Sequence, residues 1–164
     1  MLDAIENSGF GIWVRESGSL WSYPTIIFFH SLGLSFLVGM NFVLDLRILG
    51  VAPRLPIAPL ERLFPLLWLG FWLNTVSGLA LLVADASTML VNPVFLVKMA
   101  CIALAVMAMV QVRRLLFASP PPGSSPLPFN VKLLAVASIV LWAAAITAGR
   151  LTAYLGPVAG LGKR

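Results

Sequence analysis

The chain has 164 residues, of which 60% are hydrophobic and only 10% are charged. Soluble domains carry about 25% charged residues, so this chain has too few to cover a water-facing surface of its own size. The composition excludes a soluble globular enzyme, a disordered tail and a secreted disulfide scaffold, and it indicates an integral membrane protein. The formal net charge of +5 is interpreted as loop charge that sets membrane orientation, so no nucleic-acid partner is expected.

The first 20 residues are amphipathic and contain no long apolar run, unlike a cleavable signal peptide. Apolar Leu2, Ile5 and Ile12 are interspersed with acidic Asp3 and Glu6. We therefore expect a short N-terminal helix that lies in the membrane interface.

Four apolar stretches follow, and a helix needs roughly 20 such residues to cross the hydrocarbon core. The predicted spans cover residues 23–44, 63–84, 93–110 and 133–154, the third with Asn92 as N-cap and Pro93 at its first position. Residues 50–59 and 119–128 contain three and five prolines, which helices do not accommodate. The sequence therefore predicts a single all-α membrane domain over residues 1–164: a four-transmembrane-helix antiparallel bundle with a short N-terminal interfacial helix.

Basic residues are distributed unequally between the two ends of the predicted bundle. One side has six basic and two acidic residues, and the other has five basic and four acidic residues. By the positive-inside rule the first side is cytoplasmic, which places both termini in the periplasm of a bacterial inner membrane. The six basic residues on the cytoplasmic side are Arg47, Arg54, Arg62, Arg113, Arg114 and Lys132.

The single histidine, His30, lies about 10 Å inside the outer boundary of the first predicted span, at 1.5 Å per residue. An imidazole at this depth is costly unless it is paired or ligated. One interpretation is an axial haem ligand, with Gly33 on the same helical face letting a flat porphyrin approach. The other is a core histidine that is hydrogen-bonded to Ser31, Asn74 or Ser77.

Small residues in the other spans lie at the depth of His30. Gly78 in the second span and Ala143, Ala144 and Ala145 in the fourth either leave a gap for a planar ligand or let helices pack closely. A separate stripe of Ser31, Ser35 and Gly39 is interpreted as a helix-packing surface.

Further candidates for a haem site lie near the outer edge of the bundle. Met99 is close to the depth of His30 and is a candidate second metal ligand, although methionine in an apolar helix is more often packing. Lys98, Arg150 and Tyr154 lie above this level, where cations suit the propionates of a haem. Snorkelling of the two cations to lipid phosphates is the alternative.

Copper is the other metal that the sequence allows. Cu(I) favours soft ligands, and His30, Met99 and Cys101 lie in adjacent depth layers. Met99 and Cys101 are two residues apart, however, so on a helix they point to different faces. Haem b is therefore the expected cofactor and copper the alternative.

Several short motifs resemble an uncharacterised family of small bacterial four-helix membrane proteins. They are Trp13-x-Arg15-Glu16-Ser17, Tyr23-Pro24, His30-Ser31-Leu32-Gly33, Asp45-Leu46-Arg47-Ile48-Leu49-Gly50 and Gly149-Arg150-x-x-Ala153-Tyr154. A more distant resemblance is to CopD-like membrane domains and four-helix haem-binding bundles, which implies copper handling or haem. This chain departs from them in having fewer helices than the CopD-like domains and only one histidine, so ligation by two histidines does not carry over.

These observations predict a b-type haem-binding membrane protein of the electron-transfer class. His30 is the axial ligand, Met99 the candidate second ligand, and Lys98 and Arg150 the propionate partners. The alternatives are a non-catalytic membrane subunit or assembly protein and a copper-handling membrane protein. No acidic residue lies in the middle of a predicted span, which argues against a proton relay, and acid–base catalysis is not expected. The expected partners are the lipid bilayer, further copies of the chain, and a redox partner or larger membrane complex.

Overall fold

The computed structural model describes residues 2–118 and 127–155, and this part of the chain is helical with no β-strand. Its α-helices are α1 (Leu2–Glu6), α2 (Gly9–Glu16), α3 (Tyr23–Ile48), α4 (Phe64–Ala84), α5 (Ala86–Met89), α6 (Pro93–Arg113) and α7 (Phe129–Leu155). A 3-10 helix, Ala58–Leu63, leads into α4, and a π-helical turn, Arg114–Ala118, follows α6.

Four helical segments are long and apolar enough to cross a bilayer. They are Tyr23–Ile48, Ala58–Ala84, Pro93–Phe117 and Phe129–Thr152. This confirms the predicted all-helical class and the four candidate spans of a multi-pass membrane protein. The side chain of Asn92 accepts a hydrogen bond from the backbone N–H of Val94 at 2.9 Å, so the predicted N-cap of the third span is also present.

The first span is longer than residues 23–44, because α3 continues through Asp45 to Ile48. The run of apolar residues ends at Asp45, but this side chain is buried inside the bundle. Arg47 donates hydrogen bonds to the backbone carbonyls of Pro53 and Leu55, which gives the last turn of α3 a polar partner in the connector.

The N-terminal segment forms two short helices instead of one. Ser8 is the N-cap of the second helix, α2, and its Oγ accepts a hydrogen bond from the backbone N–H of Gly11 at 3.2 Å. Arg15 donates to the carbonyl of Ala84 at 3.3 Å, and Glu6 accepts hydrogen bonds from Ser87. These contacts hold α1 and α2 against the end of α4 and against α5.

The four long helices form two closely packed pairs, α3 with α4 and α6 with α7, and the pairs meet through α3 and α7. A Cβ on Gly33 would lie 2.6 Å from the backbone N of Asn74, and a Cβ on Gly70 would lie 2.7 Å from the backbone N of Leu37. At Gly33 and Gly70, α3 and α4 therefore approach so closely that only glycine fits between their backbones. The buried core between the pairs includes Leu37, Leu44, Ile48, Phe64, Leu67, Met109, Val112, Val131, Ala135 and Trp142.

Candidate functional site

The imidazole of His30 lies at the interface between α3 and α4. Its Nδ1 is 3.0 Å from the backbone carbonyl oxygen of Asn74 and 3.2 Å from Oγ of Ser77. A carbonyl oxygen can only accept, so the neutral ring carries its proton on Nδ1 and donates it to Asn74. In this tautomer Nε2 carries the free lone pair, which is the form of histidine that ligates a metal.

The orientation of the ring is set by Gly78. A Cβ at this position would lie 3.0 Å from Cε1 and 3.4 Å from Nδ1 of His30, and no other ring atom would lie within 4 Å. The Cε1–Nδ1 edge of the ring therefore lies closest to Gly78, and Nε2 lies farther from that position. In the described part of the chain Nε2 makes no hydrogen bond, and the ring is half-buried.

The two glycines predicted beside a porphyrin contact protein atoms in this structure. Gly33 is pressed against the backbones of Asn74 and Gly70, and Gly78 accommodates the imidazole itself. Gly33 is therefore a position of close helix packing, and Gly78 is a position of contact with the His30 ring.

The other predicted site residues lie on α6 and α7. Lys98 is half-buried, and a Cβ on Gly149 would lie 3.7 Å from its Nζ. Arg150 is exposed, directly after Gly149. Met99 is 47% exposed on the outer surface of α6, whereas the side chain of Tyr154 lies outside the described residues.

No three histidine, cysteine, aspartate or glutamate side chains come together as metal ligands within residues 2–118 and 127–155. Cys101 is half-buried and carries a free thiol.

A second polar cluster, which we did not predict, lies between α3 and α7. Nδ2 of Asn41 donates hydrogen bonds to Oδ2 of Asp45 and to Oγ of Ser138, both at 2.7 Å, and all three side chains are at most 1% exposed. In the described residues, Oδ1 of Asn41 and the indole N–H of Trp142 are buried without a hydrogen-bond partner. The available sequence signal was the i, i+4 spacing of Asn41 and Asp45, which places both on one helical face.

A cavity of about 370 Å³ opens at the predicted cytoplasmic end of α4 and α6. Its walls include Glu61, Phe64 and Arg113, and the Arg113 guanidinium lies 5.2 Å from the centre of the Phe64 ring. The cavity is at the opposite end of the bundle from His30, so it is not part of the histidine site.

Comparison of this chain with protein-family models, with curated proteins and with solved structures finds no match.

Proposed function

We propose that the protein is a b-type haem-binding membrane protein of the electron-transfer class, with Nε2 of His30 as an axial ligand of the iron. The observation that carries this proposal is the hydrogen bond from Nδ1 to the carbonyl of Asn74, which orients the ring and leaves the lone pair of Nε2 free. Metal-ligating histidines almost always donate their other ring N–H to a carbonyl, a carboxylate or water, and this bond orients the ring and raises its basicity.

The surroundings of His30 limit where a haem can lie. Because Gly33 and Gly78 are in contact with protein atoms, a haem held by His30 would not use the space at these two glycines. Lys98 lies beside Gly149, and Arg150 directly follows Gly149, so both cations are suited to pair with propionates. Met99 is the candidate sixth ligand. Bound haem supplies a reversible one-electron couple, while the helices exclude water and hold the imidazole.

The proposal includes an antiparallel bundle in a bacterial inner membrane. Residues 30, 33 and 37 of α3 lie against residues 78, 74 and 70 of α4, a register that supports helices running in opposite directions. The distribution of basic residues favours periplasmic termini. With this orientation α1 and α2 lie at the periplasmic interface, and His30 is in the outer half of the membrane.

Contacts between copies of the chain also belong to the proposal. Ser31, Ser35 and Gly39 are exposed along α3, and a Cβ on Gly39 would meet nothing within 4 Å. A stripe of small residues that the chain does not use for its own packing supports homo-oligomer formation. A redox partner or a larger membrane complex is the expected electron donor or acceptor.

A non-catalytic membrane subunit is the second candidate, and a separate observation favours it. Besides the bond from its ring, His30 accepts a hydrogen bond at its backbone oxygen from Nδ2 of Asn74, at 2.8 Å. These two bonds and the close approach at Gly33 join α3 to α4 without any cofactor. His30 is then part of the helix interface alone.

An absorption spectrum of the purified protein, reduced minus oxidised, separates these candidates. We expect Soret and α bands together with stoichiometric iron and porphyrin. A colourless protein without iron or porphyrin contradicts the haem proposal and supports the subunit. Stoichiometric copper without porphyrin supports the copper-handling alternative instead.

A further inference from the structure

The polar cluster of Asn41, Asp45 and Ser138 places a carboxylate inside the bundle. Asp45 is 1% exposed, although it lies on a helix that is long and apolar enough to span the membrane. Its hydrogen-bond partner is the amide of Asn41, at 2.7 Å. A carboxylate buried with only neutral partners is costly if it is ionised.

No cationic side chain in the described part of the chain compensates this charge. The two ion pairs found there both involve Arg15 at the other end of the bundle. Near Asp45, Arg47 binds carbonyls of the connector and Arg113 lies over Phe64. None of the charged groups at this end of α3 and of the neighbouring elements lies within 4.0 Å of the Asp45 carboxylate. They are Arg47, Arg54, Glu61, Arg62, Arg113, Arg114 and Lys132.

The amide oxygen of Asn41 is an independent sign that the cluster is incomplete. This side chain is 1% exposed, and its Oδ1 has no hydrogen-bond partner in residues 2–118 and 127–155. Buried polar atoms are nearly always partnered, and an unpartnered acceptor costs about 1–3 kcal/mol in protein mutational data. The same side chain that binds Asp45 and Ser138 thus carries an oxygen with free lone pairs.

We propose that Asp45, Asn41 and Ser138 form an exchangeable binding site for a small monovalent cation, either a proton or Na⁺. Carboxylate, amide and hydroxyl oxygens are the hard ligands that such cations prefer. One positive charge neutralises the single carboxylate, whereas a divalent ion would leave a net charge buried in the bundle. A proton binds covalently to Asp45 and gives the cluster a donor. Na⁺ is coordinated by oxygens of Asp45 and Ser138, and because Nδ2 of Asn41 faces both groups, Oδ1 becomes a ligand only when the amide rotates.

This site is separate from the histidine site. Asn41 and Asp45 follow His30 by 11 and 15 residues on α3, or about 16 and 22 Å at 1.5 Å per residue. The cation site therefore does not depend on haem binding. Either proposal can fail while the other stands.

The test is thermal unfolding of the full chain in lipid nanodiscs at constant ionic strength. Na⁺ is exchanged for N-methylglucamine in one series, and the pH is lowered in a second series carried out in a Glu6→Gln background. Wild type is compared with Asp45→Asn, which preserves the shape of the side chain. Glu61→Gln, a change to an exposed carboxylate at the same end, is the matched control.

We expect the unfolding midpoint of wild type and of Glu61→Gln to rise with Na⁺ or with acidification, and that of Asp45→Asn to lose this response. A response to Na⁺ identifies the ion, and a response to pH alone identifies the proton. A midpoint that responds to neither, or that responds equally in Asp45→Asn, overturns the site. Stronger stabilisation by Ca²⁺ than by Na⁺ overturns the assignment of a monovalent cation.

If Asp45→Asn does not fold, the unfolding comparison is replaced by infrared spectroscopy. Spectra of wild type and of Ser138→Ala are then recorded with isotopically labelled aspartate. A carboxylic C=O band that appears on acidification, or a carboxylate band that shifts with Na⁺, is expected in wild type and altered in Ser138→Ala. Buried-aspartate bands that are insensitive to both ions overturn the proposal.

Discussion

His30 and Asn74 form a reciprocal pair across the α3–α4 interface. The imidazole donates from Nδ1 to the carbonyl of Asn74 at 3.0 Å, and Nδ2 of Asn74 donates to the carbonyl of His30 at 2.8 Å. The direction of Nε2 therefore depends on how closely the two helices approach. Substitutions that separate α3 from α4 are expected to change the histidine site even where they do not contact it.

Gly33→Ala is the most direct way to separate these helices. Its Cβ would lie 2.6 Å from the backbone N of Asn74 and 2.9 Å from the carbonyl oxygen of Gly70, and neither atom can move without the helix. Overpacking of this kind costs about 1–3 kcal/mol or more. Denaturant unfolding in mixed micelles should show this loss.

Gly39→Ala, measured on monomeric protein, is the matched control on α3, because its Cβ would meet no atom of its own chain within 4 Å. The free energy of unfolding of this variant should be unchanged or up to about 1 kcal/mol higher, as expected for alanine in a helix. Equal unfolding free energies for Gly33→Ala and wild type would show that α3 and α4 do not pack as described.

Gly78→Ala tests whether the contact with Gly78 positions the imidazole of His30. The new Cβ would lie 3.0 Å from Cε1 of His30, which is tighter than van der Waals contact. Since a side chain can shift where a backbone cannot, this variant should lose less stability than Gly33→Ala. The reduced haem spectrum should change in position or intensity, and a wild-type spectrum would mean that Gly78 does not position the ligand.

Lys98→Ala tests the propionate partner on α6. Removing this cation should increase the rate at which haem is lost to apomyoglobin, with membrane insertion preserved. Arg62→Ala is the matched control, because Arg62 is an exposed cation at the opposite end of the bundle. Equal rates of haem loss from wild type and Lys98→Ala would remove Lys98 from the site, and Arg150→Ala tests the second cation in the same assay.

Docking of the N-terminal helices should weaken in acid. The pKa of Glu6 lies below its ordinary value of 4.5. The main cause is the hydrogen bond from the Ser87 side chain, followed by the bond from the Ser87 backbone and the charge of Arg15. Ionised Glu6 therefore stabilises the folded contact above pH 4.5, and this contribution is lost as the pH falls through the folded-state pKa.

Hydrogen exchange of residues 2–16 measures this effect. Protection should fall in acid for wild type and for Glu16→Gln, whose exposed carboxylate also binds Arg15. Glu6→Gln should show weaker protection at neutral pH and no further acid-dependent loss. Identical pH profiles for Glu6→Gln and wild type would contradict the role of Glu6.

Hydropathy was sufficient to predict the all-helical class and the four spans, because a bilayer of fixed thickness requires apolar runs of one length. The end of α3 was harder to predict. A charged residue normally ends an apolar run, but Asp45 is buried against Asn41, and Arg47 binds carbonyls of Pro53 and Leu55.

The histidine site was partly predictable. An imidazole in an apolar span is conspicuous, and two of its three predicted polar partners, Asn74 and Ser77, contact it. The faces of α3 were not predictable, because a helix that is apolar all round has no amphipathic stripe to identify its packed side. The sequence therefore could not show that Gly33 faces α4, or that Asn41 and Asp45 face Ser138.

Ligation by His30 is tested most directly by a His30→Ala variant and its rescue. The cavity left by the imidazole can take up free imidazole, which restores the nitrogen ligand without the covalent link. We predict that purified His30→Ala lacks the Soret and α bands in the reduced-minus-oxidised spectrum, and that imidazole with added haem restores them. Full-strength bands in His30→Ala without imidazole would contradict the account.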